Sequence, residues 1–104
     1  MKIIDKKLLK DFSRPGRCEW CDVYFAGGLD PAHIFSRGAG RVDITENLVS
    51  LCRTCHSYNH AGKEPTRAQL LLLAAKRERT TAEEIVDKVQ RIRRDDKCKV
   101  WEIS

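Results

Sequence analysis

Two Cys-x-x-Cys pairs and two histidines four residues apart could do chemistry in this chain. Cys18-Glu19-Trp20-Cys21 holds the first pair, and Cys52 and Cys55 form the second. A thiolate pair at this spacing makes a tight turn that points both sulfurs at one ion. Two such pairs predict a closed, tetrahedral, structural zinc site. A redox Cys-x-x-Cys fits less well, because there are two pairs and no thioredoxin-like pattern. His56 and His60 follow the second pair directly. On a helix, residues four apart share a face, with Cβ atoms about 5–6 Å apart. Two imidazoles so placed can grip one divalent ion. Residues 51–60 therefore carry ligands for two ions: a thiolate site that holds the fold, and an imidazole site open to solvent.

The thirty residues between the two pairs exceed the roughly 15–20 of a simple zinc ribbon. Something is inserted, and it holds the third histidine, His33. Arg37 and Arg41 flank Gly38 and Gly40. Arginines beside a flexible glycine loop suit bidentate phosphate contact, although a solvated surface loop accounts equally well for either arginine alone. Cys98 is left over and has no assigned role.

The elements that must position these groups can be read in outline. At 104 residues the chain fits a single domain with a thin core, a size that often relies on metal. Ile4, Leu8 and Phe12 at four-residue spacing read first as a solvated terminus with a few apolar anchors, and otherwise as a short amphipathic helix or an arm laid on the core. Ser13 to Arg17 reads as a turn, as do Gly27-Gly28 and Asp30-Pro31. Ala32 to Phe35 reads as extended and Leu48 to Leu51 as a strand, with a helix carrying His56 and His60 after it. Helices follow over residues 65–97. Thr66 with Gln69 forms a capping box, as does Thr81 with Glu84 or Thr80 with Glu83. The apolar run Leu70 to Ala75 predicts burial of that whole segment. Ile85, Val86, Val89 and Ile92 form an apolar stripe, with Lys88, Arg91 and Arg94 on another side. Those cations read as a solvated face or a DNA contact. Residues 99–103 alternate and fit a short strand or a packed end.

Composition bounds the partners. Twenty Lys and Arg against fifteen Asp and Glu give a formal charge of +5, and 34% of residues are charged. Four thiolates on Zn²⁺ would remove two charges, and a second divalent ion would restore them. A mildly basic balance suits a polyanion such as nucleic acid. No apolar run nears the roughly 20 residues needed to cross a bilayer. The N-terminus has no apolar signal region, so a cytoplasmic location with reduced thiols is expected.

Cys18-x-x-Cys21, Ala32-His33-Ile34, Arg37-Gly38-x-Gly40 and Asn47-Leu48-x-x-Leu51-Cys52-x-x-Cys55-His56-x-x-x-His60 together resemble the HNH endonuclease family. The similarity is greatest to small phage-type members with a pair of zinc knuckles, and it covers residues 18–60. It implies an α+β fold: a small ββα-metal core stapled by a four-cysteine zinc site, followed by C-terminal helices, in one domain over 1–104. It implies metal-dependent hydrolysis of DNA phosphodiesters, by nicking or double-strand cleavage. By matching position His33 is the general base, Asn47 ties the hairpin and steadies His33, and His56 and His60 bind the catalytic ion, Mg²⁺, Mn²⁺, Ni²⁺ or Zn²⁺. Cys18, Cys21, Cys52 and Cys55 bind the structural Zn²⁺. Arg37 and Arg41 are the DNA-contact candidates. The implied setting is a phage or prophage protein in a bacterial host, acting with DNA and with other phage proteins or a second copy as further partners.

One position departs from the pattern. Many relatives carry Asp or His just before the base histidine as a third metal ligand, and here that residue is Ala32. Asp30 or Asp43 could supply the missing oxygen. Ala32 also favours a second reading, a zinc-stapled DNA-binding module with a weakened catalytic site. A third is a redox or zinc-storage protein, for which the histidines would be coincidental.

Overall fold

The computed structural model describes residues 2–35, 40–94 and 100–103, with the backbone alone for Lys2 and 100–103. The chain is α+β, with four helices and three two-stranded sheets among the described residues. Strand β1 (Lys2–Asp5) leads into helix α1 (Lys6–Phe12). The pair β2 (Gly16–Arg17) and β3 (Tyr24–Phe25) flanks the first cysteine turn. Strand β4 (Asp30–His33) pairs antiparallel with β5 (Leu48–Leu51), and a 3-10 turn (Thr45–Asn47) precedes β5. Helix α2 (Arg53–His60), α3 (Arg67–Glu78), α4 (Ala82–Arg94) and strand β6 (Val100–Ile103) complete the order.

The hairpin β4–β5 is the frame of the molecule. Leu48, Val49 and Leu51 are fully buried, and Val49 and Leu51 share one core cluster with Ala32 of β4. Helices α3 and α4 close that core with Leu70, Ala74, Ile85 and Val89. The apolar run at the start of α3 is not buried throughout. A helix turns about 100° per residue, so six consecutive apolar residues cannot all face inward. Leu70, Leu71, Ala74 and Ala75 do, whereas Leu72 is 64% exposed.

Local capping chemistry fixes several boundaries. Thr66 and Gln69 form a reciprocal capping box at α3. At α4 only half of the expected box is present: Thr81 Oγ1 accepts from Glu84 N–H, but the Glu84 carboxylate turns to the Thr80 hydroxyl. Cys52 caps α2 through its sulfur, which accepts from Cys55 N–H. Gly28 adopts φ +100°, and a Cβ there would stand 2.7 Å from the Ser13 carbonyl oxygen.

The N-terminal segment is a structural strand as well as a helix. β1 pairs in parallel with β6, and Ile3 also exchanges backbone bonds with Arg41 and Asp43. No helix among the described residues is long and apolar enough to cross a membrane.

Arg77 of α3 ties the parts together. It donates to Glu19 Oε1 at 2.7 Å, to Glu78 Oε2 at 2.7 Å, and to the carbonyls of Thr45 at 2.6 Å and Leu48 at 2.8 Å. Its guanidinium also lies 5.1 Å from the centre of the Phe12 ring. Burial opposes its charge, but the carboxylates of Glu78 and Glu19 outweigh that and hold the proton more firmly than usual. Arg77→Met would leave two carbonyls and Glu19 without this donor. The expected loss is about 2–3 kcal/mol, because breaking a partly buried pair strands its partner. Thermal unfolding of the purified variant measures it, and a melting curve matching wild type would remove Arg77 from this role.

Candidate metal centre and histidine clusters

Two turns and a hairpin bring the four predicted cysteines together. Cys18 N–H bonds the Val23 carbonyl and Asp22 N–H returns to Cys18, closing the first turn. Glu19 N–H bonds the Ser50 carbonyl, and Ser50 N–H donates to Glu19 Oε2, so this turn docks on β5 just before the second pair. The ligand atoms of Cys18, Cys21, Cys52 and Cys55 all lie within 4.8 Å of one another. Cys21 Sγ and Cys52 Sγ are 3.9 Å apart. A tetrahedral ion with Zn–S bonds of about 2.3 Å requires sulfurs about 3.8 Å apart, so these four cysteines can hold a metal ion such as zinc.

The thiols do not share one environment. Burial works against a Cys18 thiolate, but backbone N–H groups of Cys21, Cys52 and Trp20 outweigh it and lower its pKa. At Cys55 burial raises the pKa far above the ordinary value, and the neighbouring thiols push the same way.

His56 and His60 meet on α2. Their Nε2 atoms are 3.0 Å apart, and His56 Nδ1 faces Asp30 Oδ2 at 3.1 Å. A carboxylate at Nδ1 keeps the proton on that nitrogen and leaves the Nε2 lone pair directed at His60. Two such nitrogens can share a proton or flank a cation. M–N bonds of about 2.1 Å place neighbouring ligand nitrogens roughly 3.0–3.4 Å apart. His60 is exposed and His56 partly so.

Ala32 supplies no donor, and its place in the core explains why. It pairs across the hairpin with Val49 and is 1% exposed. Side chains two apart on a strand share a face, so Asp30 is on the Ala32 side. Its carboxylate reaches the outer nitrogen of His56, not the nitrogen that meets His60. Among the described residues only the four cysteines form a cluster of three or more metal-binding side chains.

His33 ends β4 and is held by a different carboxylate. Its Nε2 lies 2.7 Å from Asp43 Oδ1, and the two side chains are 9% and 0% exposed. Arg41 grips Asp43 through Nε at 3.0 Å and a terminal nitrogen at 2.9 Å, and Asp5 N–H donates to it at 2.8 Å. Burial alone would raise the Asp43 pKa. The bonds from Arg41, His33 and Asp5 outweigh it, so the carboxyl lies below its usual range. Arg41, a DNA-contact candidate by sequence, is thus turned inward onto Asp43. Arg37 lies outside the described residues, as does Cys98.

Asn47 is fully buried and ties the two ends of the hairpin's loop. Its Oδ1 accepts from Phe35 N–H at 2.9 Å, and its Nδ2 donates to the Val42 carbonyl at 2.9 Å. It reaches His33 through the backbone of Ile34 and Phe35, whereas the Asp43 side chain meets the imidazole directly. Sequence reasoning raised Asp30 and Asp43 only as replacement ligands, and their role as histidine partners follows from strand register. A groove of about 670 Å³ lies elsewhere, between Glu46, the end of α3, and α4. Compared with known proteins, the chain matches no family model, no curated protein and no solved structure.

Proposed function

We propose that this chain is a metal-dependent DNA endonuclease of the HNH type, with β4, β5 and α2 as its ββα-metal core. The observation that carries the reading is the convergence of His56 and His60 Nε2 at 3.0 Å with Asp30 on the far nitrogen of His56. Orienting a ligand histidine by a carboxylate on its other nitrogen is the ordinary arrangement at metal centres. The four cysteines hold a structural zinc that fixes α2 to the hairpin.

The roles follow from the residues. His33, positioned by the Asp43 carboxylate at its Nε2, is the residue that takes the proton of the attacking water. Asn47 keeps the strand ends together so that His33 stays in register. A divalent ion held by His56 and His60 would stabilise charge on the phosphate and on the leaving oxygen. With two imidazole ligands, the site suits Mn, Ni, Co or Zn by donor type, while Mg tolerates few protein ligands.

Supercoiled plasmid tests this. Wild-type protein should nick it with at least one of Mg²⁺, Mn²⁺, Ni²⁺ or Zn²⁺ and not without added ion. His56→Ala should need roughly 10–100-fold more ion for the same rate, the usual cost of disturbing a metal site. Retardation of DNA in a gel without cleavage under any ion would favour the second reading, a zinc-stapled DNA-binding module. The buried Ala32 is the observation on its side.

A further inference from the structure

Arg53 opens α2, one turn before His56 and two before His60. At about 100° per residue, the three side chains fall within about 60° of one another on one helix face. Asp30 ties the first two together. It pairs with Leu51 in the hairpin register, two residues before α2 begins. Its Oδ2 meets His56 Nδ1 at 3.1 Å, and its Oδ1 lies 3.9 Å from a terminal nitrogen of Arg53. One carboxylate therefore spans the imidazole and the guanidinium, which puts Arg53 beside the histidine pair.

The contact with Asp30 is loose. It is longer than a hydrogen bond, and the Arg53 side chain is 89% exposed. An exposed pair of this kind holds its cation weakly, so the N–H donors of the guanidinium fork stay open to an anion. Arg41, by contrast, is turned inward onto Asp43. Charge on this face also favours an anion. Arg53 together with a divalent ion on His56 and His60 would outweigh the Asp30 carboxylate. A phosphate relieves that excess, and a guanidinium fork matches it bidentately.

We propose that Arg53 grips a phosphate of the DNA backbone at the His56–His60 site. The inference rests on the endonuclease reading for the identity of the polyanion. It gives Arg53 the task of holding the strand and no part in proton transfer, and it places the phosphate contact on the helix that carries both histidines.

The test is fluorescence anisotropy of a labelled duplex over a range of NaCl, without added divalent ion. Wild type is compared with R53Q, R53K and R14Q. Arg14 is exposed and paired with Asp11, so R14Q controls for net charge. One lost phosphate contact flattens the plot of log affinity against log salt by about 0.9 and weakens binding roughly tenfold at about 50 mM NaCl. R53Q should show both effects, while R53K and R14Q should keep the wild-type slope. Ni²⁺ binding is measured by calorimetry on the same proteins, with the cysteine site filled by zinc. R53Q should bind Ni²⁺ within about threefold of wild type, whereas losing the partner that orients a ligand histidine costs roughly 10–100-fold. Circular dichroism checks folding.

A wild-type slope for R53Q overturns the contact, as does an R14Q effect equal to that of R53Q, or no duplex binding by wild type at low salt. A wild-type slope combined with weakened Ni²⁺ binding would make Arg53 a brace for Asp30 instead. Plasmid nicking is read separately. A flattened slope for R53Q with no nicking by wild type would keep the phosphate contact and sink the nuclease. Wild-type nicking with an unchanged slope for R53Q would do the reverse.

Discussion

Removing the metal from the four cysteines, or replacing one by Cys52→Ser, is expected to abolish the cooperative thermal transition of this protein. Cys52 carries two functions at once: its sulfur belongs to the cluster and also caps α2. It is buried at 3% exposure, directly after β5. Without a cation, the cluster gathers three buried sulfurs, Cys18, Cys52 and Cys55, beside the exposed Cys21. Burial then holds Cys55 as a thiol; at Cys21 the Val23 backbone bond favours the thiolate, but partial desolvation and the neighbouring Cys18 sulfur together outweigh it and raise that thiol too. Zinc binding to such sites contributes about 10–16 kcal/mol. Whole domains are stable by only about 5–15 kcal/mol, so loss of the ion removes an amount comparable to the whole margin. Two measurements check this: zinc content per chain, and circular dichroism melting with and without a chelator under reducing conditions. One zinc per chain and loss of the transition on chelation are expected. Identical melting in both states would mean that the core of Leu48, Val49, Leu51 and Leu70 holds the fold without it.

Much of this arrangement was legible because it is local. The two Cys-x-x-Cys turns, the β5 strand, the His56–His60 face and the Thr66–Gln69 box each depend on residues within a few positions of one another. The α4 cap shows the limit of that reasoning, because Glu84 had two hydroxyls in reach and took one of each kind of contact. Asp43 shows why the rest was hidden. Its partners are His33, Arg41 and the N–H of Asp5, and the last lies 38 residues away. Only the pairing of β1 beside residues 41–43 brings that donor in, and no spacing in the sequence announces it. Arg77 is similar: its partners come from α1, the first cysteine turn, and the hairpin, which meet only in the folded chain. Arg67 and Arg93 have 25 residues between them and both reach the Phe35 ring.

The second large effect concerns His33 and Asp43 together. On the proposed endonuclease reading, His33→Ala is expected to lower DNA cleavage by about 10²–10⁴-fold, the usual contribution of a positioned general base. Asp43→Asn is expected to approach that loss, and the double variant should be little worse than either, because the two side chains act as a unit. An amide at position 43 can donate to Nε2 and stabilise the wrong tautomer, leaving the proton on Nδ1. It also leaves Arg41 beside the imidazole with no carboxylate between them. That cation disfavours a protonated ring, so the acid limb of the pH–rate profile should move to lower pH in Asp43→Asn. A purely structural role would not move that limb.

Stability gives an independent reading with a definite sign. The Asp43 pKa is depressed in the fold, so its contribution is present above the unfolded value, about 3.9, and is lost as pH falls through the folded value. Wild type should therefore exceed Asp43→Asn in melting temperature at neutral pH, and the gap should close only in the acid range below that unfolded value. A gap that closes between pH 5 and 7 instead would assign the titration to another group. Cleavage by His33→Ala within about threefold of wild type, far short of the base effect, would leave the Asp43–His33 contact as a brace for β1 and β4 and put the base elsewhere.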